Sequence, residues 1–179
     1  GILVGRKTLN FDNPSLDVAL YSSPYGLNQK KSKKIIIGSF SKINWDASLF
    51  HKDAENIYVI GSKADWNDFP TEKKAAVQAL GINCFNIQDE RNFIEEVLKY
   101  LGKKEITSIL VEGGPEIHAE FLKNKLFDKA SVFVASSLVG KGKGPADAYG
   151  IQEMKDRLEL KLIRHELVGT DLFLQYKRG

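Results

Sequence analysis

The feature that most constrains this chain is a recurrence of short apolar runs, each bounded by turn residues. They lie at residues 2–4, 35–37, 57–60, 84–87, 109–111 and 132–135. Runs of this length, rich in Ile and Val and without strict alternation, read as strands buried on both faces. Helical patterns lie between the middle ones. Residues 71–80 read as a helix ending at Gly81, where a left-handed residue closes a helix C-terminus. Asp89 is placed to cap a second helix, whose Ile94, Val97, Leu98 and Leu101 recur on one face before Gly102 ends it. Pro115 suits the first position of a third helix, with Ile117, Phe121 and Leu122 facing inward. Strands that alternate with helices pair in parallel, with helices covering both faces of the sheet. The C-terminus breaks that rhythm. Residues 158–165 and 172–176 are strand-like around Val168-Gly169-Thr170-Asp171, a hairpin that adds antiparallel strands at one side. The expectation is a single α/β domain over residues 1–179, with a mostly parallel, mixed sheet and a C-terminal antiparallel hairpin.

Composition narrows the partners. At 42% apolar and 27% charged, 179 residues supply one ordinary core, which excludes a disordered or fibrous chain. The net charge is only +3, and the one dense basic run, Lys30-Lys31-Ser32-Lys33-Lys34, leads into a strand and reads as a solvated loop. Nucleic acid is therefore not an expected partner. No apolar run approaches the roughly 20 residues of a membrane span, and no signal-peptide pattern is present. The single cysteine, Cys84, excludes an intrachain disulfide, and its strand-like setting reads as a buried, inert thiol in a reducing compartment. A soluble, cytoplasmic protein is expected. Gly1-Ile-Leu-Val-Gly5 reads as the middle of a strand and carries no initiator Met, so the natural N-terminus is expected to lie upstream.

The strand ends carry the candidate chemistry. The strand at 108–112 runs through Gly113-Gly114-Pro115 into a helix, and the free N–H groups of a first helical turn favour an anion. Glycines there let a phosphate approach the backbone, although a tight turn that binds nothing explains the same spacing. Glu112 stands at the carboxyl end of that strand, where ligands of open α/β sheets gather. A structural hydrogen bond to a neighbouring loop is the alternative role. A second segment, Gly5-Arg6-Lys7-Thr8 followed by Asp12-Asn13-Pro14-Ser15-Leu16, also places a hydroxyl and a carboxylate after a strand, though turn chemistry alone would account for it. Gly38-Ser39 and Gly61-Ser62-Lys63 repeat the theme. His51, His118 and His165 lack metal-ligand spacing, no Cys pair supports zinc, and no metal is expected. Lys141-Gly-Lys-Gly-Pro145 lacks the spacing of a phosphate loop, and no G-x-G-x-x-G follows a strand.

In combination these segments resemble the reductase domain of riboflavin biosynthesis, the RibD C-terminal domain, of the dihydrofolate-reductase-like superfamily. The matching pieces are Ile2-Leu-Val-Gly-Arg-Lys-Thr8, Asp12-Asn-Pro-Ser-Leu16 and Ile35-Ile-Ile-Gly-Ser39. They continue with Ile109-Leu-Val-Glu-Gly-Gly-Pro115, Phe121-Leu122, Ala135-Ser-Ser-Leu-Val-Gly140 and Arg164-His-Glu-Leu-Val-Gly-Thr-Asp-Leu172. The resemblance implies a hydride transfer from NADPH to C1′ of a phosphorylated ribosylamino-pyrimidine, opening the sugar to a ribityl chain. It implies that Thr8, Asp12 and Ser39 contact the cofactor, that Gly113, Gly114, Pro115, Glu116 and Ile117 hold its pyrophosphate, and that Gly61 and Ser62 lie toward its 2′ end. Leu16 and Glu112 would line the substrate, with Glu112 binding or protonating the opening sugar. A homodimer is implied as well, as is a first strand and helix upstream of Gly1. One position departs: Ala19 stands where the family carries an Arg that faces the substrate phosphate. A reductase of another pterin-like substrate and a non-catalytic dinucleotide-binding module stay open beside this reading.

Overall fold

Five parallel strands form the larger sheet: β1 (Ile2–Gly5), β2 (Lys34–Ile37), β3 (Ile57–Ser62), β4 (Asn83–Ile87) and β5 (Leu110–Val111), in the order β4-β3-β2-β1-β5. The computed structural model describes residues 1–17, 31–142, 144–151 and 153–179. Ala19, the position that departs from the family pattern, lies outside the described residues. The chain divides into two compact units, Gly1–Ile117 and His118–Gly179.

The unbroken Ile and Val runs follow from burial on both sides of the sheet. Leu3, Ile35, Ile36, Ile57, Val59 and Ile60 are all fully buried, and complete burial of each such side chain is worth about 1.5–3 kcal/mol. Lys34 is the exception in this layer, a buried ammonium paired with Asp17 at 2.7 Å. Phe40, Phe50 and Phe69 close the core beside Leu9 and Leu49.

Among the described residues five α-helices connect the strands or come after them: α1 (Arg6–Asp12), α2 (Lys63–Asp68), α3 (Thr71–Ala79), α4 (Phe93–Lys103) and α5 (Pro115–Lys123). The expected helix at 71–80 is α3, with Gly81 just beyond it at φ 79°. Pro115 opens α5 as expected; Ala119 and Phe121 are its buried residues, while Ile117 and Leu122 are half-buried. Asp89 does cap a helical turn, but the turn is a short 3-10 segment, Glu90–Asn92, and the α-helix begins only at Phe93. Nor does Gly102 end α4. Burial of Leu101 carries the last turn through the glycine to Lys103, at a propensity cost of only about 1 kcal/mol.

Two helices were not expected from the apolar pattern. α1 buries only Leu9 and α2 buries nothing, so neither has an apolar stripe to read. Within Asp12-Asn13-Pro14 the turn forms as a helix stop: Asn13 sits at φ 45° and its N–H donates to Leu9 O at 3.0 Å.

In the second unit, β6 (Lys129–Val134), β7 (Leu160–Val168) and β8 (Asp171–Arg178) pair antiparallel in the order β6-β8-β7. The hairpin read from 158–176 is thus present, turning at Gly169 with φ 62°. It makes a sheet of its own with β6 rather than extending the parallel one. Strand β6 also starts earlier than the apolar run at 132–135, because main-chain pairing with β8 takes in Lys129, Ala130 and Ser131. No helix among the described residues is long and apolar enough to cross a membrane.

Candidate active site

Strand order fixes where a ligand can sit. From β1 the chain steps outward through β2, β3 and β4, then returns to place β5 on the other flank of β1. Crevices in open parallel sheets form at such a reversal, outside the carboxyl ends of the strands. Here β1 passes at Gly5 directly into α1, and β5 passes through Glu112, Gly113 and Gly114 into α5. The Glu112 N–H donates to Leu3 O at 3.0 Å, extending the ladder by one rung and leaving the exposed Glu112 side chain at its end.

The two glycines of the turn serve different ends. A Cβ on Gly113 would lie 2.6 Å from Val4 Cα, so this glycine lets β5 and β1 approach each other. Spacing alone credited it with room for phosphate; packing claims that room instead. Gly114 has φ 75°, a conformation that side-chain-bearing residues rarely adopt. Among the described residues, its missing Cβ has only Thr8 Oγ1 nearby, at 3.2 Å. The turn therefore presents open backbone beside a hydroxyl, and the first N–H groups of α5 have no partner within their own helix. Ile117 anchors this helix start, with Cγ1 2.8 Å from where a Cβ on Gly5 would lie. Across the reversal, the Lys7 ammonium donates to Glu116 Oε1 in an exposed ion pair.

A second polar group gathers at the ends of β2 and β3. Ser39 Oγ and Ser41 Oγ donate to Asp65 Oδ1 at 2.5 and 2.8 Å, and the Phe40 N–H donates to Asp65 Oδ2. Ser62 caps α2 by accepting from the Asp65 N–H at 3.2 Å. Partial burial by itself would raise the Asp65 carboxyl, but these donors outweigh it and hold the group below the ordinary value of 3.8. Gly61 admits the ring of Phe40, whose Cε2 lies 2.6 Å from where its Cβ would be. Asp65 is the member that sequence reasoning missed. Its signal was there, since Ser62-Lys-Ala-Asp65 matches the pattern of a helix-capping box.

The other expected positions are scattered around these two groups or lie apart from them. Thr8 is half-buried in α1 and Asp12 is exposed at its last position. Leu16, expected on the substrate side, has its side chain in the core with Leu49 and Phe50, and its backbone at φ 52°. Lys63 opens α2 and is exposed. Cys84 is half-buried, and desolvation pushes its thiol up to about 12. His118 Nδ1 donates to Pro145 O at 2.9 Å. Among the described residues no group of three or more His, Cys, Asp or Glu could hold a metal ion.

The parallel sheet, its helices and the C-terminal antiparallel sheet form an α/β fold of the dihydrofolate-reductase-like class. The structure of RibD from Acinetobacter baumannii matches with a TM-score of 0.80 at 21% identity, covering 100% of this chain and 47% of that one. The family pattern of the RibD C-terminal domain matches residues 1–174, and the chain belongs to that family. The riboflavin biosynthesis protein RibD of Bacillus amyloliquefaciens is 31% identical over 179 residues, covering 97% of this chain and 45% of that protein. The 2,5-diamino-6-ribosylamino-4(3H)-pyrimidinone 5′-phosphate reductase of Aquifex aeolicus is 28% identical over 180 residues, covering 99% of this chain and 75% of that protein. This chain spans about half the length of the RibD relatives it matches.

Proposed function

We propose that the chain is an NADPH-dependent reductase of riboflavin biosynthesis. It converts the ribosyl group of 5-amino-6-(5-phosphoribosylamino)uracil, or of its 2,5-diamino-pyrimidinone analogue, to ribityl. The observation that carries this reading is the strand-order reversal at β1 and β5, where an exposed carboxylate and an open glycine turn stand at adjacent strand ends. The name of the Aquifex aeolicus relative, a reductase of such a substrate, supports it.

The residues fit a dinucleotide. Gly114 leaves a cradle that a Cβ would fill, beside the Thr8 hydroxyl and ahead of the Glu116 and Ile117 N–H groups. Thr8 and the turn from Gly114 through Pro115 to Ile117 would hold the pyrophosphate, with Asp12 elsewhere on the cofactor and Ser39, Gly61 and Ser62 toward the far ribose. When bound, the dinucleotide supplies a hydride. The chain's own task is to hold the accepting carbon in reach and to manage protons. The bond from C1′ to the ring oxygen must break first; that oxygen takes a proton, the amino nitrogen gives one up, and C1′ becomes an imine with that nitrogen. C1′ then takes the hydride and the nitrogen takes a proton, leaving a ribityl amine. Glu112 is the group assigned to these protons, and Leu16 contributes through its backbone because its side chain lies in the core.

The preference for the phosphorylated dinucleotide rests on Ser62 and the exposed Lys63. The same reading makes the two units one reductase domain of a cytoplasmic homodimer, without nucleic-acid or membrane partners. Exposed apolar side chains on the second sheet, among them Phe133 and Leu167, support self-association. A second reading, a reductase of a pterin-like substrate without that phosphate, is favoured by Ala19. NADPH oxidation with 5-amino-6-(5-phosphoribosylamino)uracil, run beside dihydrofolate, separates the two. The proposal expects turnover of the first alone. Turnover of dihydrofolate alone replaces it with the second reading, and cofactor binding without either oxidation makes the chain a non-catalytic module.

A further inference from the structure

Lys7 and Glu116 stand on opposite sides of the strand-order reversal, in the opening turns of α1 and α5. Each is a close chain neighbour of the cradle: Lys7 precedes Thr8, and Glu116 lies two positions after Gly114. Their ion pair joins the two elements that flank the open turn, and both side chains are well exposed. A carboxylate in the first turn of a helix is favoured by the helix dipole. At the entrance of an anion cradle, however, it opposes any phosphate that approaches. An exposed pair of this kind shifts an equilibrium by at most about fivefold, whereas a charge-assisted bond from an ammonium to a phosphate oxygen is about twice as strong as a neutral one.

We propose that Lys7 is a ligand of the cofactor pyrophosphate and that the Glu116 carboxylate holds it in reserve. Binding exchanges the Lys7–Glu116 pair for a Lys7–phosphate pair, so the Glu116 side chain works against affinity while its backbone N–H works for it. The inference rests on the reading that this turn holds a dinucleotide, and it makes the two partners of one ion pair opposite in effect.

Fluorescence titration of the intact chain with NADPH, at low and at moderate salt, tests it. Lys7→Gln is expected to weaken binding about fivefold to tenfold and to flatten the salt dependence. Lys7→Arg is expected to retain affinity. Glu116→Gln is expected to tighten binding about twofold to fivefold, and to lose most of that gain in the Lys7→Gln background. Melting temperatures of all variants confirm that each is folded. Weaker binding by Glu116→Gln, or unchanged binding by Lys7→Gln, overturns the inference and leaves the cofactor reading standing. Competition with ribose 5-phosphate completes the test: a Lys7→Gln effect confined to that phosphomonoester assigns Lys7 to the substrate and overturns the pyrophosphate assignment. Failure of the unmodified chain to bind NADPH at all overturns the cofactor reading, and this inference falls with it.

Discussion

The turn between β5 and α5 and the ledge formed by Ser39, Ser41, Ser62 and Asp65 share one edge of the parallel sheet, yet they are built in opposite ways. At the ledge the polar groups satisfy one another: one carboxylate collects two hydroxyl donors and a backbone donor, and a third hydroxyl caps its helix. At the turn, open backbone faces a single hydroxyl, and the nearby charges meet in one exposed ion pair, Lys7 with Glu116. The ledge is preorganised and holds its shape without a ligand. The turn leaves its backbone open, and on the proposed reading an anion supplies its partners. On this view the pyrophosphate supplies most of the binding energy at the turn, while the ledge sets which ribose end fits.

The largest expected effect lies at the turn. Glu112→Gln keeps the size and exposure of the side chain but cannot transfer a proton. It is expected to lower kcat by about 10²- to 10⁴-fold while NADPH affinity stays unchanged. Full turnover by this variant would remove Glu112 from the chemistry.

Next come the paired glycines. Gly113→Ala drives a Cβ toward Val4 Cα, which is backbone and cannot yield cheaply, so a loss of about 3 kcal/mol of stability is expected. Gly114→Ala meets only a hydroxyl; its positive φ costs about 1–2 kcal/mol, and the filled cradle weakens NADPH further. Thermal unfolding and NADPH titration on both variants separate the two roles. Equal stability losses with equal affinity losses would erase the distinction between a packing glycine and a binding one.

The ledge predicts an acid response. Asp65 is held below its ordinary value of 3.8, so its contribution is fully present above that value and is lost as pH falls through the lower, folded one. Asp65→Asn is expected to cost about 1–2 kcal/mol at neutral pH and to flatten the acid limb of stability against pH. An unchanged acid limb would show that the ledge is not held by charge. The smallest effect is at Cys84. With its thiol pushed up to about 12, alkylation of the folded chain near pH 8 is expected to be slow, and rapid labelling would contradict the burial described for β4.

Legibility in the sequence divided along similar lines. Strands β1, β2 and β3 announced themselves because burial on both faces demands unbroken apolar runs, whereas the runs of β5 and β6 form strands although Leu110, Val132, Phe133 and Val134 are exposed. Pro115 and Gly81 marked helix ends through backbone restrictions that no tertiary context changes. Helices α1 and α2 have no apolar stripe to display, with one buried residue or none, and α2 carried only the capping spacing of Ser62 and Asp65. The separation of the hairpin into its own sheet was equally invisible, since strand pairing partners are set by tertiary packing and not by the local pattern. The open backbone at Gly114 and the exposed carboxylate of Glu112 were legible from their place at a strand end. The role of Gly113 was misjudged because spacing cannot say whether a missing Cβ makes room for a ligand or for a neighbouring strand. Asp65 could have been read from its capping spacing with Ser62, but its bonds to Ser39 and Ser41 join residues distant in the chain.

If the Gly114 turn and the first turn of α5 receive the pyrophosphate, their backbone amides must respond to the cofactor. NMR amide shifts recorded during NADPH titration report on each of them separately. The largest saturable shifts are expected at Gly114, Glu116 and Ile117, with smaller ones at Thr8, Ser39 and Ser62. Saturable binding that leaves those amides unmoved, with shifts gathered instead around Lys141 or the second sheet, would contradict a pyrophosphate site at this turn.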